Sequence, residues 1–471
     1  TMAADDWAFT PLLTLAEHIA KGDISATEIT TKQLQRIAHY DTSLGSFVTL
    51  MADSAMREAE AADLAIARGE PLGPLHGVPV AVKDLCDASG VQTIAGMPRV
   101  RADVAPATRD ATVVRKLREA GAVIVGKLQL TEGAVAHHHP DIKPPLNPHH
   151  ADYWSGASSS GSGVATAAGL CFAALGSDTG GSIRFPSFAN GLTGLKQSWG
   201  RVSRAGVFPL SWSLDHVGPL ARSAADCAAV LGAIAGSDAD DPTAVANAVP
   251  DYVAELDQGV RGLRVGLDEN CACAQVDADI VAAMRDALQV FAAAGADIVP
   301  INFPETDAVT AAWTPLCTAE AAAAHAATYP SRADEYGHGL AGLLDTGLNT
   351  SAVEYALAHD LRQRFRGQMA RLFSGVDVVI APALMRQNLT LKEFSTFGEA
   401  DNDWPELLRF TAPFDISGTP TLSLPAGFNA DGAPFGFQLA AGHLNESMLT
   451  RAGHVYQQAH SWHLQRPQGL D

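Results

Sequence analysis

Two stretches rich in serine and glycine, and one lysine upstream of them, carry the residue types that acyl-transfer chemistry requires. The first stretch runs Ser155-Gly156-Ala157-Ser158-Ser159-Ser160-Gly161-Ser162-Gly163, and the second runs Gly176-Ser177-Asp178-Thr179-Gly180-Gly181-Ser182-Ile183-Arg184-Phe185-Pro186. Small residues let backbone N–H groups approach a ligand closely and accept unusual dihedrals. A hydroxyl on such a turn, beside several inward-pointing N–H donors, can act as a nucleophile next to an oxyanion site. Ser182 is the best-placed hydroxyl, and the N–H groups of Thr179, Gly180, Gly181 and Ser182 could converge on a carbonyl oxygen. Taken without the other pieces, the same turn also reads as a phosphate-binding or purely structural glycine turn.

A base is needed as well. The apolar run Gly77-Val78-Pro79-Val80-Ala81-Val82 ends in Lys83. Placing an amine behind three valines disfavours the ammonium and lowers its pKa, and only a neutral amine can take a proton. Alone, Lys83 reads more simply as a strand-end lysine with its head in water. Other solutions lack their motifs, for no Gly-x-Ser-x-Gly elbow and no His-Glu-x-x-His occurs. Asp178 and Arg184 flank the second turn. They suit either contact with a substrate carboxylate or a mutual ion pair that locks the turn, and the pair is the favoured reading.

The histidines at 137–139 and 149–150 tempt a metal reading, but adjacent residues in extended chain point opposite ways and few could converge. No metal and no cofactor is expected. A loop bringing one histidine, Tyr153 or Trp154 to a substrate entrance is the better expectation. Trp199, Trp212, Trp313, Trp404 and Phe414 could line an apolar pocket or simply fill the core, and so could Cys317.

These residues need a scaffold. Residues 11 to 38 read as two helices, the first stopped at Gly22 and the second capped by Ser25-Ala26-Thr27-Glu28. An alanine-rich helix covers about 51 to 68, and a strand follows at Val78 to Val82. Asp110 can cap a helix carrying Val113, Val114 and Leu117, closed by Gly121 and followed by the strand Ala122 to Val125. A small-residue helix from about Ser162 to Gly169 then leads to a strand, Phe172 to Leu175. Asp377 to Pro382 is another buried strand, and Thr421–Pro425 with Phe435–Leu439 forms a late strand pair. This alternation predicts an α/β fold: layered α/β/α, a large, mostly buried central sheet covered by helices on both faces. Residues 236 to 375 read differently, as an Ala/Asp-rich, mostly helical region with Leu263 to Leu267 as an isolated strand.

The chain has 471 residues and a formal net charge of −20, which disfavours nucleic acid and anionic membranes as partners. Six cysteines are too sparse for a disulfide scaffold, so reduced thiols and a cytoplasmic location are expected. No signal peptide is visible at the N-terminus, and no apolar stretch is long enough to span a bilayer.

The constellation resembles the amidase signature family. Lys83, Ser158 and Ser182 fall where that family has its catalytic lysine, its bridging serine in a cis peptide, and its nucleophilic serine. The likeness continues through Gly194-Leu195-Lys196, Gly200-Arg201-Val202-Ser203 and Ser213-Leu214-Asp215-His216-Val217-Gly218-Pro219, and is weakest between about 236 and 375. The resemblance implies a mixed central sheet and one amidase domain over 1–471, with N-terminal helices (1–70), a signature core (71–235), a substrate-side cap (236–375) and C-terminal strands and helix (376–471). It implies a serine amidase that cleaves amides, and possible aryl amides, esters or carbamates as in a urethanase, through an acyl-serine. Ser159 is expected as a hydrogen-bonding supporter. Alternatives are an amidotransferase component that works in a glutamine-dependent complex and a non-catalytic amide-binding scaffold. A monomer or homodimer acting on a small molecule is expected.

Overall fold

The computed structural model describes residues 7–397 and 403–471. Its centre is one sheet of eleven strands: β1 (Phe47–Leu50), β2 (Pro79–Lys83), β3 (Val123–Leu128), β4 (Ala173–Asp178), β5 (Thr193–Lys196), β6 (His216–Ala221), β7 (Arg264–Leu267), β8 (Asp297–Pro300), β9 (Val378–Ala381), β10 (Thr421–Phe428) and β11 (Pro434–Ala441). The spatial order is β1-β3-β2-β4-β6-β5-β10-β11-β9-β7-β8. β2 is parallel to both β3 and β4, and β7 is parallel to β8 and β9, while the strands between are antiparallel.

Both faces are covered, and the period of two along the strands shows how. Val80, Val82, Ile124 and Leu175 pack into one apolar cluster with Leu12, Leu15, Val113 and Leu117. Ala81, Val123, Val125 and Ala174 pack into the other with Ile37, Ala55, Ala59 and Val164. Successive side chains of a strand point to opposite faces, so a run buried on both sides is apolar at every position. Among the described residues no helix is long and apolar enough to cross a membrane.

The N-terminal helices lie at Leu12–Lys21, Ala26–Leu44 and Ala52–Ala67. Gly22 ends the first in the left-handed region at φ 79°, and the Ser25 hydroxyl accepts from the Glu28 N–H at 2.9 Å. Two local expectations fail. Asp110 does not cap the helix Thr112–Glu119, which starts at Ala111 without a side-chain cap. Its carboxylate instead takes the Ser89 N–H at 2.7 Å and pairs with Arg118 at 3.1 Å, tertiary partners that occupy both of its oxygens. The Leu263–Leu267 segment is not isolated, since β7 pairs with β8 and β9 and belongs to the main sheet. Its partners lie far along the chain, at a separation no local pattern encodes.

Candidate functional site

The site forms where β2 and β4, parallel neighbours, end together, the place where open α/β sheets present ligand sites. β2 ends in Lys83 and β4 ends in Asp178. After β4 the chain turns through Thr179 to Ile183 and enters the helix Arg184–Asn190, while Ser158 and Ser159 immediately precede the helix Ser160–Ala167. The two Gly/Ser stretches thus meet as two strand-to-helix or loop-to-helix turns. Their approach is close enough that a Cβ on Gly156 would lie 2.2 Å from Pro186 Cα.

Lys83 is 1 % exposed, and its Nζ lies 2.6 Å from Ser158 Oγ, 2.9 Å from Ser159 Oγ and 2.8 Å from Ser177 Oγ. Among the described residues its side-chain hydrogen bonds go to hydroxyls, with no carboxylate among them. Burial pulls the amine down to about 7, against weaker upward pulls from Cys86, Asp215 and Asp178. The Ser159 hydroxyl donates to the Ser177 carbonyl at 3.1 Å and accepts from the Ser177 N–H at 3.1 Å. Ser159 Oγ is therefore an acceptor toward Lys83. Three hydroxyls suit the three donors of an ammonium, and a neutral amine can donate to two of them and accept from the third.

Ser182, half-buried, faces a small, largely apolar cavity. Its Oγ accepts from the Ser158 N–H at 3.3 Å, so Ser158 touches Lys83 with its hydroxyl and Ser182 with its backbone. Apo geometry of this kind commonly tightens once substrate is bound. The cis peptide expected before Ser158 is not present: among the described residues the cis bond is Tyr329–Pro330. Gly156 at φ 87° and Ala157 at φ 49° turn the chain there instead, and this left-handed pair delivers Ser158 to both neighbours.

Asp178 and Arg184 form the mutual ion pair, both with side chains fully buried. Arg184 Nε donates to Asp178 Oδ2 at 3.0 Å and Nη2 to Oδ1 at 2.9 Å, and Nη2 also reaches Asp415 Oδ2 at 2.8 Å. Burial alone would raise the Asp178 carboxyl, but the Arg184 guanidinium together with Asp415 and Lys196 outweighs it and holds Asp178 well below the usual carboxylate range. Asp178 Oδ2 further accepts the N–H groups of Ile183 and Arg184 at 3.1 and 3.4 Å. These two donors are thereby taken, while among the described residues no acceptor claims those of Gly180, Gly181 and Ser182.

Sequence reasoning gave no role to Ser177, the third hydroxyl on Lys83, although it lies inside the second stretch. Its position in β4, next to the end of β2, was the available signal. Asp215 was missed too. Buried, it accepts from Thr179 Oγ1 at 2.6 Å and from the N–H groups of Leu210 and Ser211 at 3.0 and 3.1 Å. Trp313 holds the other side of Thr179, its Nε1 donating to the Thr179 carbonyl at 2.9 Å.

Trp313 lines the cavity with Ala134, Val135, Ala136, Phe185, Leu343, Phe394, Leu407 and Leu408. The other aromatic candidates lie elsewhere. Trp154 is buried behind the wall, its ring 4.5 Å from Phe394, and Tyr153 donates to Asp431 at 2.7 Å. Trp212 is exposed, Trp199 and Phe414 line other cavities, Cys317 is fully buried, and the Trp404 side chain lies outside the described residues. The histidines act as ties: His137 Nε2 lies 2.6 Å from the Phe397 carbonyl, His138 Nε2 lies 2.8 Å from Ser160 Oγ, and His139 Nε2 lies 3.1 Å from the Glu335 carbonyl. Among the described residues no three His, Cys, Asp or Glu groups gather as metal ligands, and the six cysteines are free.

A mixed sheet with a buried lysine and serines at the ends of parallel strands defines a layered α/β enzyme, and comparison narrows it. The amidase family model matches residues 28–450, and the chain belongs to that family, the amidase signature enzymes. It is 44 % identical over 456 residues to the putative amidase AmiD of Mycobacterium tuberculosis, covering 97 % of this chain and 95 % of the relative. It is 36 % identical over 484 residues to a component of the glutamyl-tRNA(Gln) amidotransferase of Chromohalobacter salexigens, covering 97 % and 98 %. The peptide amidase of Stenotrophomonas maltophilia superposes with a TM-score of 0.82 at 29 % identity, covering 98 % and 99 %. The protein is an amide-hydrolysing enzyme.

Proposed function

We propose that the enzyme cleaves amides through an acyl intermediate on Ser182, with Ser158 and Lys83 relaying the proton. Neutral Lys83 Nζ takes the proton of the Ser158 hydroxyl as Ser158 takes that of Ser182. Ser182 Oγ then attacks the carbonyl carbon, and the N–H groups along Thr179 to Ser182 receive the developing oxyanion. The relay returns the proton to the leaving nitrogen, the C–N bond breaks, and water releases the acid by the same path in reverse. Ser177 and Ser159 hold the amine, while Asp178 and Arg184 hold the turn.

The observation that carries this reading is the amine itself: Lys83 is buried among three hydroxyls, lowered to about 7, and linked through Ser158 to a serine that faces a cavity. Apart from the turn around Ser182 the cavity wall is apolar, so the preferred substrates carry an aryl or compact alkyl group beside the carbonyl. Esters and carbamates, urethanes included, present the same carbon and the same oxyanion, and belong to the proposed range. In this reading the mostly helical stretch after β8 is the substrate-side wall, through Trp313 and Leu343.

Ser182→Ala is expected to abolish hydrolysis with folding retained, and a fluorophosphonate label is expected to map to Ser182 by mass spectrometry. Near-wild-type turnover in Ser182→Ala, or labelling of a different serine, refutes the assignment. A panel of anilides, aliphatic amides, dipeptide amides and aryl carbamates reads out the acyl and amine preference.

A further inference from the structure

On another part of the molecule lies a groove with about 1100 Å³ of open space between the helix Ala352–Gly375, the turn Ser417–Thr419 before β10, and the loop after β11. Its wall combines Arg366 and His443 with the hydroxyls of Ser374, Ser417 and Thr419 and the apolar side chains of Trp199, Met369 and Phe373. None of the residues that line it is acidic, in a chain with 52 Asp and Glu against 32 Lys and Arg.

The cations here have no carboxylate partner among the described residues. Arg366 is half-buried and makes no ion pair or hydrogen bond among the described residues, and burial alone lowers its guanidinium. One turn earlier, Arg362 is 2 % exposed and donates through Nη1 to Ser213 Oγ at 2.8 Å, but its Nε and Nη2 have no acceptor. Arg362 is lowered by burial and by Arg366, against smaller upward pulls from Glu320, Tyr355 and Asp415, so two like charges stand near each other with donors to spare. The buried Nε1 of Trp199 is also without an acceptor. Arg264, Arg285 and Arg386, by contrast, are each paired with carboxylates. Orphan donors beside a concave, acid-free surface call for an acceptor from outside the chain.

The geometry points to a second ligand site in this groove, one that takes a small carboxylate with an apolar body, the carboxylate on Arg366 and the body against Met369, Phe373 and Trp199. The acid that amide hydrolysis releases belongs to this chemical class. The inference does not rest on Ser182, because no residue of the groove touches that cavity.

The test uses the intact enzyme and 4-fluorobenzoate as probe, followed by fluorine NMR, with 4-fluorobenzyl alcohol as its neutral counterpart and inorganic phosphate as an anion without an apolar body. Benzoate binding is expected, with an affinity about tenfold weaker in Arg366→Gln and largely restored in Arg366→Lys, while the alcohol binds poorly. Ser374→Asp, on an exposed position, places a negative charge on the wall and is expected to remove binding while amide hydrolysis stays unchanged. Benzoate binding that is absent in the wild type, or equal in the wild type, Arg366→Gln and Ser374→Asp, overturns the site. Phosphate binding as tight as benzoate, and equally sensitive to Arg366→Gln, overturns the ligand class.

Discussion

Lys83 is the residue on which the proposed chemistry turns, and its titration makes the reading measurable. With its pKa lowered to about 7 by burial, the amine is neutral above that pH and charged below it. The activity, kcat/KM against pH, is expected to rise to a plateau through about 7 rather than near the usual lysine value. Lys83→Met keeps the unbranched apolar stem, one atom shorter, and removes the base, so kcat/KM falls by about 10³-fold, within the range for general-base catalysis. Stability also rises with pH, over a higher window. Because the folded pKa lies below the unfolded value, the unfolded chain binds more protons between about 7 and 10.5, and wild-type stability rises with pH across that window. Below it the penalty of a buried ammonium is full. Lys83→Met is therefore expected to unfold at a higher temperature than wild type at pH 6, with the gap narrowing toward pH 10, as thermal melts at the two pH values will show. A gap that widens with pH contradicts a buried, depressed amine.

Among the elements, the two turns matter more than the helices they open. The turn before Ser158 lies against the first turn of the helix Arg184–Asn190, and Gly156 allows the contact because any Cβ there would meet Pro186 backbone. Gly156→Ala forces these turns apart. A displacement of about 1 Å between reacting groups is worth about 10²-fold in rate, so kcat is expected to drop by that order with KM little changed. An unaltered kcat would mean that the distance between the turns does not govern the reaction. The Asp178–Arg184 pair fixes the second turn from below, and removing one partner of a buried pair costs about 3–5 kcal/mol. Asp178→Ala is accordingly expected to lower the denaturant midpoint severely, a structural loss to be separated from the clean activity loss of Ser182→Ala.

At the scale of the molecule, the question is whether the chain acts alone. Relatives at similar length include both amidases and an amidotransferase component. The sheet is complete within this chain, and the candidate Lys–Ser–Ser cluster and its apolar wall come from strands and helices of the same chain. The purified chain is expected to hydrolyse simple amides with no second protein added, at a rate that does not change across a gel-filtration peak. Activity that appears only with a second protein, accompanied by glutamine hydrolysis, would favour the amidotransferase reading. With six free cysteines and no disulfide, its thermal midpoint is expected to be the same with and without reductant.

The candidate site was legible where its residues sit in short, contiguous stretches. Ser182, Ser158 and Lys83 lie in three such pieces, and the helices at Leu12–Lys21, Ala26–Leu44 and Ala52–Ala67 follow from periodicity and caps that neighbouring residues supply. The Asp178–Arg184 pair was legible too, since its partners are six residues apart. What the tertiary structure alone decided is everything that depends on distant segments meeting. β1, β5 and β8 are only four residues long, β6 has six, and the status of all four as strands comes from partners elsewhere in the chain. Asp110 was drawn away from its helix by Ser89 and Arg118, and Ser177 and Asp215 gained roles only once strand ends and loops were brought together. Local sequence sets dihedral preference and hydrophobic period, whereas burial and hydrogen-bond partners come from the packed chain. The lowered pKa of Lys83 is the clearest case: the sequence supplies an amine after valines, and the fold removes its water.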